Sequence, residues 1–127
     1  AARPKCIVFD EATSMLDPKG RKDILKLAHK LNKEEGITIV WITHLMREVK
    51  DADRVIVMNK GKVFLDDKPE KIMASVEEME LLGLGVPQVY EFFYKLNESL
   101  QGHKKAPSFD LNDLDECVRQ LKESLEN

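Results

Sequence analysis

Cys6-Ile7-Val8-Phe9-Asp10-Glu11, running straight on into Ala12-Thr13-Ser14-Met15-Leu16-Asp17-Pro18, decides the fold. A short apolar run that ends in a loop reads as a strand buried on both faces, the habit of parallel sheets. Two adjacent carboxylates close the run. Open α/β sheets gather their chemistry at the carboxyl edge of the strands, so Asp10 and Glu11 are candidate site residues by position.

Working outward, Pro18 and Gly20 break the chain, and Ile24, Leu27, Ala28 and Leu31 then recur at the spacing of a helical stripe. Gly36 suits the end of that helix. Ile37-Thr38-Ile39-Val40-Trp41-Ile42 is β-branched and aromatic and reads as a second buried strand, with Trp41 in the core. Strand, helix and strand make a right-handed βαβ unit, so the two strands are parallel and their carboxyl ends point the same way. One end delivers Asp10 and Glu11, and the other delivers Thr43 and His44. Nucleotide hydrolysis asks for this kind of rim, with an Asp directed at magnesium and a Glu directed at water.

Further along, Leu45 to Lys50 reads as a short helical segment. Arg54 to Met58, the turn Asn59-Lys60-Gly61 and Lys62 to Leu65 read as a β-hairpin with Gly61 in the left-handed conformation. Pro69 opens a brief helix through Met73. The character changes near Val76. Gly83 and Gly85 mark a turn. Pro87 starts a helix with Val89, Phe92, Phe93, Leu96 and Leu100 as its apolar residues, and Gly102 ends it. Gln101 to Phe109, with Lys104, Lys105 and Pro107, reads as a linker. Asp110 is then the expected N-cap of a last helix. Leu111, Leu114, Val118, Leu121 and Leu125 form a narrow seam on it, which serves either packing on the preceding helix or a dimer contact. The aromatic cluster Phe92-Phe93-Tyr94 serves either the core or a partner surface.

Composition narrows the function. The chain has 127 residues and is 43% hydrophobic, enough for a core of ordinary domain size. A formal net charge of -3 gives no basic footprint for nucleic acid or anionic lipid. No apolar run reaches the roughly 18–20 residues of a membrane span. Ala1-Ala2-Arg3-Pro4 lacks the apolar segment of a secretory signal. Cys6 and Cys117 match no metal spacing, and Cys6, inside the strand, reads as a buried free thiol. These properties point to a soluble cytoplasmic protein.

The residues then carry a family resemblance. Cys6-Ile-Val-Phe-Asp-Glu11 resembles a Walker B strand with its following glutamate. Ser14-Met15-Leu16-Asp17 resembles the D-loop of ABC ATPases, and Ile42-Thr43-His44 their switch histidine. Asp53-Arg54-Val55-Ile56-Val57-Met58, with Asn59-Lys60-Gly61-Lys62-Val63, resembles the hairpin that follows the switch in transporter ATPases. The four motifs stand in the family's order near its spacing. Met15 and the run Leu81-Leu82-Gly83-Leu84-Gly85-Val86-Pro87-Gln88-Val89 are most similar to the ATPase subunits of energy-coupling factor transporters, cobalt- and nickel-type importers among them.

The resemblance implies an α/β fold: part of a P-loop NTPase core of the ABC type in residues 1–75, with parallel strands and a β-hairpin, then a helical C-terminal extension in residues 76–127 with a possible dimerisation role. It implies ATP and Mg²⁺ as cofactors. Asp10 holds the Mg²⁺ through water, Glu11 orients or deprotonates the attacking water, and His44 contacts the γ-phosphate and keeps Glu11 in register. Asp17 reaches across a head-to-head dimer towards the partner's nucleotide. It also implies a second ATPase subunit, the same or different, and a membrane-embedded coupling subunit that places the protein on the cytoplasmic face of the membrane. No nucleic acid is expected. Phosphoryl transfer demands mainly positioning and charge stabilisation, which these residue types supply.

The family also requires a glycine-rich phosphate loop, a glutamine loop and a signature loop of the Ser-Gly-Gly type. The 127 residues contain no Gly-x-x-x-x-Gly-Lys-Ser/Thr. Those parts precede the Walker B strand in the family, and Ala1-Ala2-Arg3-Pro4-Lys5 resembles the end of the helix after the signature loop. The expectation is therefore the C-terminal portion of a larger ATPase, inactive by itself and with apolar faces and a strand edge uncovered. Two other readings compete: an ATPase of DNA repair or chromosome organisation, disfavoured by the acidic charge and the short hairpin, and a non-catalytic dimerisation or regulatory module in residues 76–127.

Overall fold

The opening run forms β1 (Cys6–Asp10) and the second forms β2 (Thr38–Ile42) in the computed structural model of the chain, which describes residues 3–103 and 108–126. The strands pair in parallel, from Cys6 opposite Thr38 to Asp10 opposite Ile42. The ladder runs one residue past each end: Thr38 N–H donates to the Lys5 carbonyl and Glu11 N–H to the Ile42 carbonyl, both at 2.9 Å. Between the strands lies α1 (Pro18–Glu35). Asp17 caps it from an extended backbone, accepting from Gly20 N–H at 2.8 Å, and Pro18 takes a first-turn position that needs no N–H. Gly36 ends it at φ 67, the left-handed conformation expected there. Arg3 and Pro4 lie outside any helix, and the rest of the helix end anticipated at Ala1-Ala2 lies outside the described residues.

The chain divides into two units, Ala1–His44 and Leu45–Asn127. In the first, burial departs from expectation. Ile7, Phe9, Ile39 and Trp41 are half-buried on one sheet face, with the Phe9 and Trp41 rings 5.0 Å apart. The opposite face is open, with Val8 59% exposed and Val40, Ile42 and Cys6 exposed as well. Neither strand is buried on both faces, Cys6 is not a buried thiol, and Trp41 is only partly covered. A continuous apolar run marks a strand suited to cover on both sides. Among the described residues of this unit a single helix stands against the two strands.

In the second unit a single 3₁₀ turn, Met46–Glu48, replaces the short helical segment. β3 (Val55–Asn59) and β4 (Lys62–Asp67) then form the anticipated antiparallel hairpin. Lys60 at φ 50 and Gly61 at φ 75 make the two-residue turn, whose paired positive φ values match the twist of the strands. Val57 pairs with Leu65 and Met58 with Val63, which leaves Phe64 as a bulge. α2 (Pro69–Ala74) follows, then α3 (Val76–Leu81), which the sequence did not announce because neither Gly nor Pro separates it from α2. Ile72 and Met79 join Val55 and Val57 in one buried cluster, and Met73, Val76 and Tyr90 form a second.

α4 (Gln88–Leu100) starts after Pro87, and Gly102 follows its end at φ 90. Residues 104–107 of the anticipated linker, Lys104, Lys105 and Pro107 included, lie outside the described residues. α5 (Leu114–Glu126) begins later than expected, and its cap is Asp113, not Asp110. The Asp113 carboxylate accepts from Glu116 N–H at 3.2 Å, and its carbonyl accepts from Cys117 N–H at 3.1 Å. Asp110 shapes the preceding turn, its carboxylate accepting from Asn112 N–H at 3.0 Å. Either aspartate has capping chemistry; the half-buried Leu111, packed beside α4 residues, holds the chain in that turn first.

Phe93, Phe109 and Cys117 make the third cluster, with Leu111, Leu114 and Leu121 against it. Most of the leucine seam therefore packs beside α4, while Val118 and Leu125 are exposed. The aromatic run divides likewise: Phe93 is buried and Phe92 is half exposed. Asn97 joins α4 to the segment before α5 through a paired amide contact with Phe109, donating to its carbonyl at 2.7 Å and accepting from its N–H at 2.8 Å. Among the described residues no helix is long and apolar enough to cross a membrane.

Candidate active site

β1 and β2 carry their last residues to one edge of the sheet. There His44 Nδ1 lies 3.2 Å from Glu11 Oε1, a contact between residues 33 positions apart in sequence. The His44 side chain is largely open to solvent and that of Glu11 about half open. An exposed pair of this kind contributes about 0–1 kcal/mol, so the contact fixes geometry rather than stability. Glu11 sits at φ 48, a left-handed conformation that costs a non-glycine residue about 1–3 kcal/mol. The backbone, not the histidine, sustains it: Glu11 N–H is tied to the Ile42 carbonyl at 2.9 Å, and Glu11's own carbonyl accepts from Ser14 N–H at 3.2 Å.

Asp10 precedes Glu11 as the exposed last residue of β1. Among the described residues no cluster of three or more His, Cys, Asp or Glu forms a ready-made metal cage. One strand-end carboxylate suits magnesium, which takes one or two carboxylates and fills its octahedron with phosphate and water.

The loop that follows makes a second turn, with Leu16 N–H donating to the Thr13 carbonyl at 3.1 Å. Thr13 is buried and Met15 fully exposed. Asp17 is not brought to Glu11 and His44: it stands at the far end of the loop, its carboxylate engaged in capping α1. Gly20 gives that carboxylate room, because a Cβ there would sit 2.9 Å from Asp17 Oδ1. Sequence reasoning overlooked Arg21, whose Nε–H reaches back to the carbonyls of Thr13 at 3.3 Å and Leu16 at 3.0 Å. Its targets are backbone atoms, which every residue has, so no sequence pattern marks the contact.

A parallel βαβ unit with acidic residues and a histidine at its carboxyl edge is followed in the chain by an antiparallel hairpin and helices. The solved structure of cbiO1 from Clostridium perfringens, described as part of the ABC transporter complex cbiONQ, matches it at a TM-score of 0.53. That likeness covers 72% of this chain and 37% of cbiO1, at 36% sequence identity.

Curated relatives match more of the chain. The energy-coupling factor transporter ATP-binding protein EcfA1 of Caldanaerobacter subterraneus is 54% identical over 98 residues, covering 77% of this chain and 35% of the relative. EcfA1 of Clostridioides difficile is 46% identical over 121 residues, covering 95% of this chain and 42% of the relative. EcfA2 of Clostridium perfringens is 41% identical over 126 residues, covering 98% and 41%. No family model matches. Over the residues it matches, the chain is similar to the ATP-binding proteins of energy-coupling factor transporters. It spans 35% to 42% of the length of these relatives.

Proposed function

We propose that this chain is the C-terminal part of an ATP-hydrolysing subunit that powers an energy-coupling factor importer of a vitamin or metal ion, cobalt being one candidate. Residues 1–75 belong to the ATPase core and residues 76–127 to a helical extension. The observation that carries the reading is the Glu11–His44 contact at the sheet edge beside Asp10. Asp10 holds Mg²⁺ through water. Bound there, the ion neutralises charge on the phosphates of ATP.

Glu11 orients the attacking water and receives its proton, and His44 holds the Glu11 carboxylate and faces the γ-phosphate. Asp17 stands on the loop that meets a second ATPase subunit, the same or different. The assembly works on the cytoplasmic face of the membrane against an embedded coupling subunit. The phosphate cradle is supplied by sequence outside these 127 residues.

The experiment joins this chain to the N-terminal part of the Clostridioides difficile relative, replacing its matching segment, and measures Mg²⁺-dependent ATP hydrolysis. Glu11→Gln and His44→Ala are each expected to lower kcat by ~100-fold or more. A chimera indifferent to both changes overturns the site. The 127-residue chain alone is expected to show no turnover. Hydrolysis by it that Glu11→Gln abolishes contradicts the external cradle.

A further inference from the structure

The loop after β1 is held by the first turn of α1. At its far foot Asp17 accepts from Gly20 N–H at 2.8 Å. Further back along the loop, Arg21 Nε–H is shared between the Thr13 carbonyl at 3.3 Å and the Leu16 carbonyl at 3.0 Å. The Thr13 carbonyl also accepts from Leu16 N–H at 3.1 Å, so the guanidinium closes a ring on that turn. The adjoining turn, Ser14 N–H to the Glu11 carbonyl at 3.2 Å, shares residues 13 and 14 with it. Rigidity thus passes from a planar, permanently charged fork to the residue whose φ of 48 most needs restraint. A hydrogen bond from a charged donor is about twice as strong as a neutral one. Arg21's own N–H bonds the Asp17 carbonyl at 3.0 Å as any helical residue there would, so its side chain is what singles it out.

We infer that Arg21 is a positioning residue for hydrolysis. Through the Thr13 and Leu16 carbonyls it fixes the loop of residues 12–16, and through the loop it fixes the Glu11 backbone, keeping the carboxylate against His44. The inference rests on Glu11 and His44 being the hydrolytic pair.

Two measurements test it. In the 127-residue chain, hydrogen exchange is followed at Ser14 and Leu16 in wild type and in Arg21→Met. Loss of the clamp speeds both amides about tenfold, while Gly36 and Ile37, at the far end of α1, keep their rates. Unchanged exchange at Ser14 and Leu16 overturns the clamp. Equal acceleration at Gly36 and Ile37 overturns it too, by making Arg21 a general stabiliser.

In the chimeric ATPase, Arg21→Met lowers kcat roughly ten- to hundredfold with KM for ATP held within about twofold, and Arg21→Lys recovers part of the loss. A raised KM at unchanged kcat refutes positioning. A chimera that tolerates Glu11→Gln counts against the hydrolytic pair, and the exchange data then still decide whether the clamp exists.

Discussion

In the unit Ala1–His44 the buried apolar residues are Ala28 and Ile37; in Leu45–Asn127 they form three clusters, around Met79, Tyr90 and Phe93. The candidate chemistry lies wholly in the first unit. Its sheet keeps one apolar face open, and its order comes from hydrogen bonds: the Glu11–Ile42 rung, the Asp17 cap and the Arg21 clamp. The second unit is ordered by side-chain packing, which carries about 1.5–3 kcal/mol per large buried apolar group. Polar scaffolding sets positions at little gain in stability, and packing supplies the stability.

The contrast is open to attack by substitution. Phe93 is 2% exposed and packs against Phe109 and Cys117, so Phe93→Ala should lower stability by about 3–5 kcal/mol, read from the urea midpoint. A loss below about 1 kcal/mol breaks the claim that packing holds this unit. Asn97→Ala leaves both polar groups of Phe109 without their side-chain partner and should cost about 1–3 kcal/mol, visible in thermal denaturation. Asp17→Ala removes the cap of α1 and should cost about 0.5–2 kcal/mol, with faster exchange at Gly20; an unaltered Gly20 amide speaks against polar scaffolding in the first unit. Val8→Thr, on the open face, should change stability by less than about 0.5 kcal/mol, and a core-sized loss there shows that the face is covered.

The smallest effect concerns pH. Arg54 lies 2.7 and 2.5 Å from the two Asp66 oxygens and holds that carboxyl below its ordinary value of 3.8, chiefly by hydrogen bonding. The folded value is the depressed one, so the contribution is complete above the unfolded value and fades as pH falls through the folded value, below 3.8. Asp66→Asn should flatten the stability curve in that acid window alone.

Much of this was legible in the residues. Strand, helix and strand were readable because apolar periodicity and a closing Gly agree with one another, while the start was placed too late: Pro18 and Gly20, read as breaks, lie inside α1. The meeting of Glu11 with His44 followed from the parallel pairing that a βαβ crossover imposes, which sends both strand ends the same way. Burial was less legible. The apolar run at Cys6 to Phe9 states what a strand tolerates on its faces, not what stands there, and so Cys6 and Val8 proved exposed. The α5 cap was misplaced because Asp110 and Asp113 have equal chemistry, and the choice falls to tertiary packing of Leu111. α3 and Arg21 left no pattern at all: one follows another helix without punctuation, and the other acts on main-chain oxygens.

The capping of α1 by Asp17 has one more consequence. One oxygen of this carboxylate serves the Gly20 amide, and an ionised carboxyl offers about four acceptor sites, so the group can keep the helix cap and still receive a hydroxyl or ammonium from a neighbouring molecule.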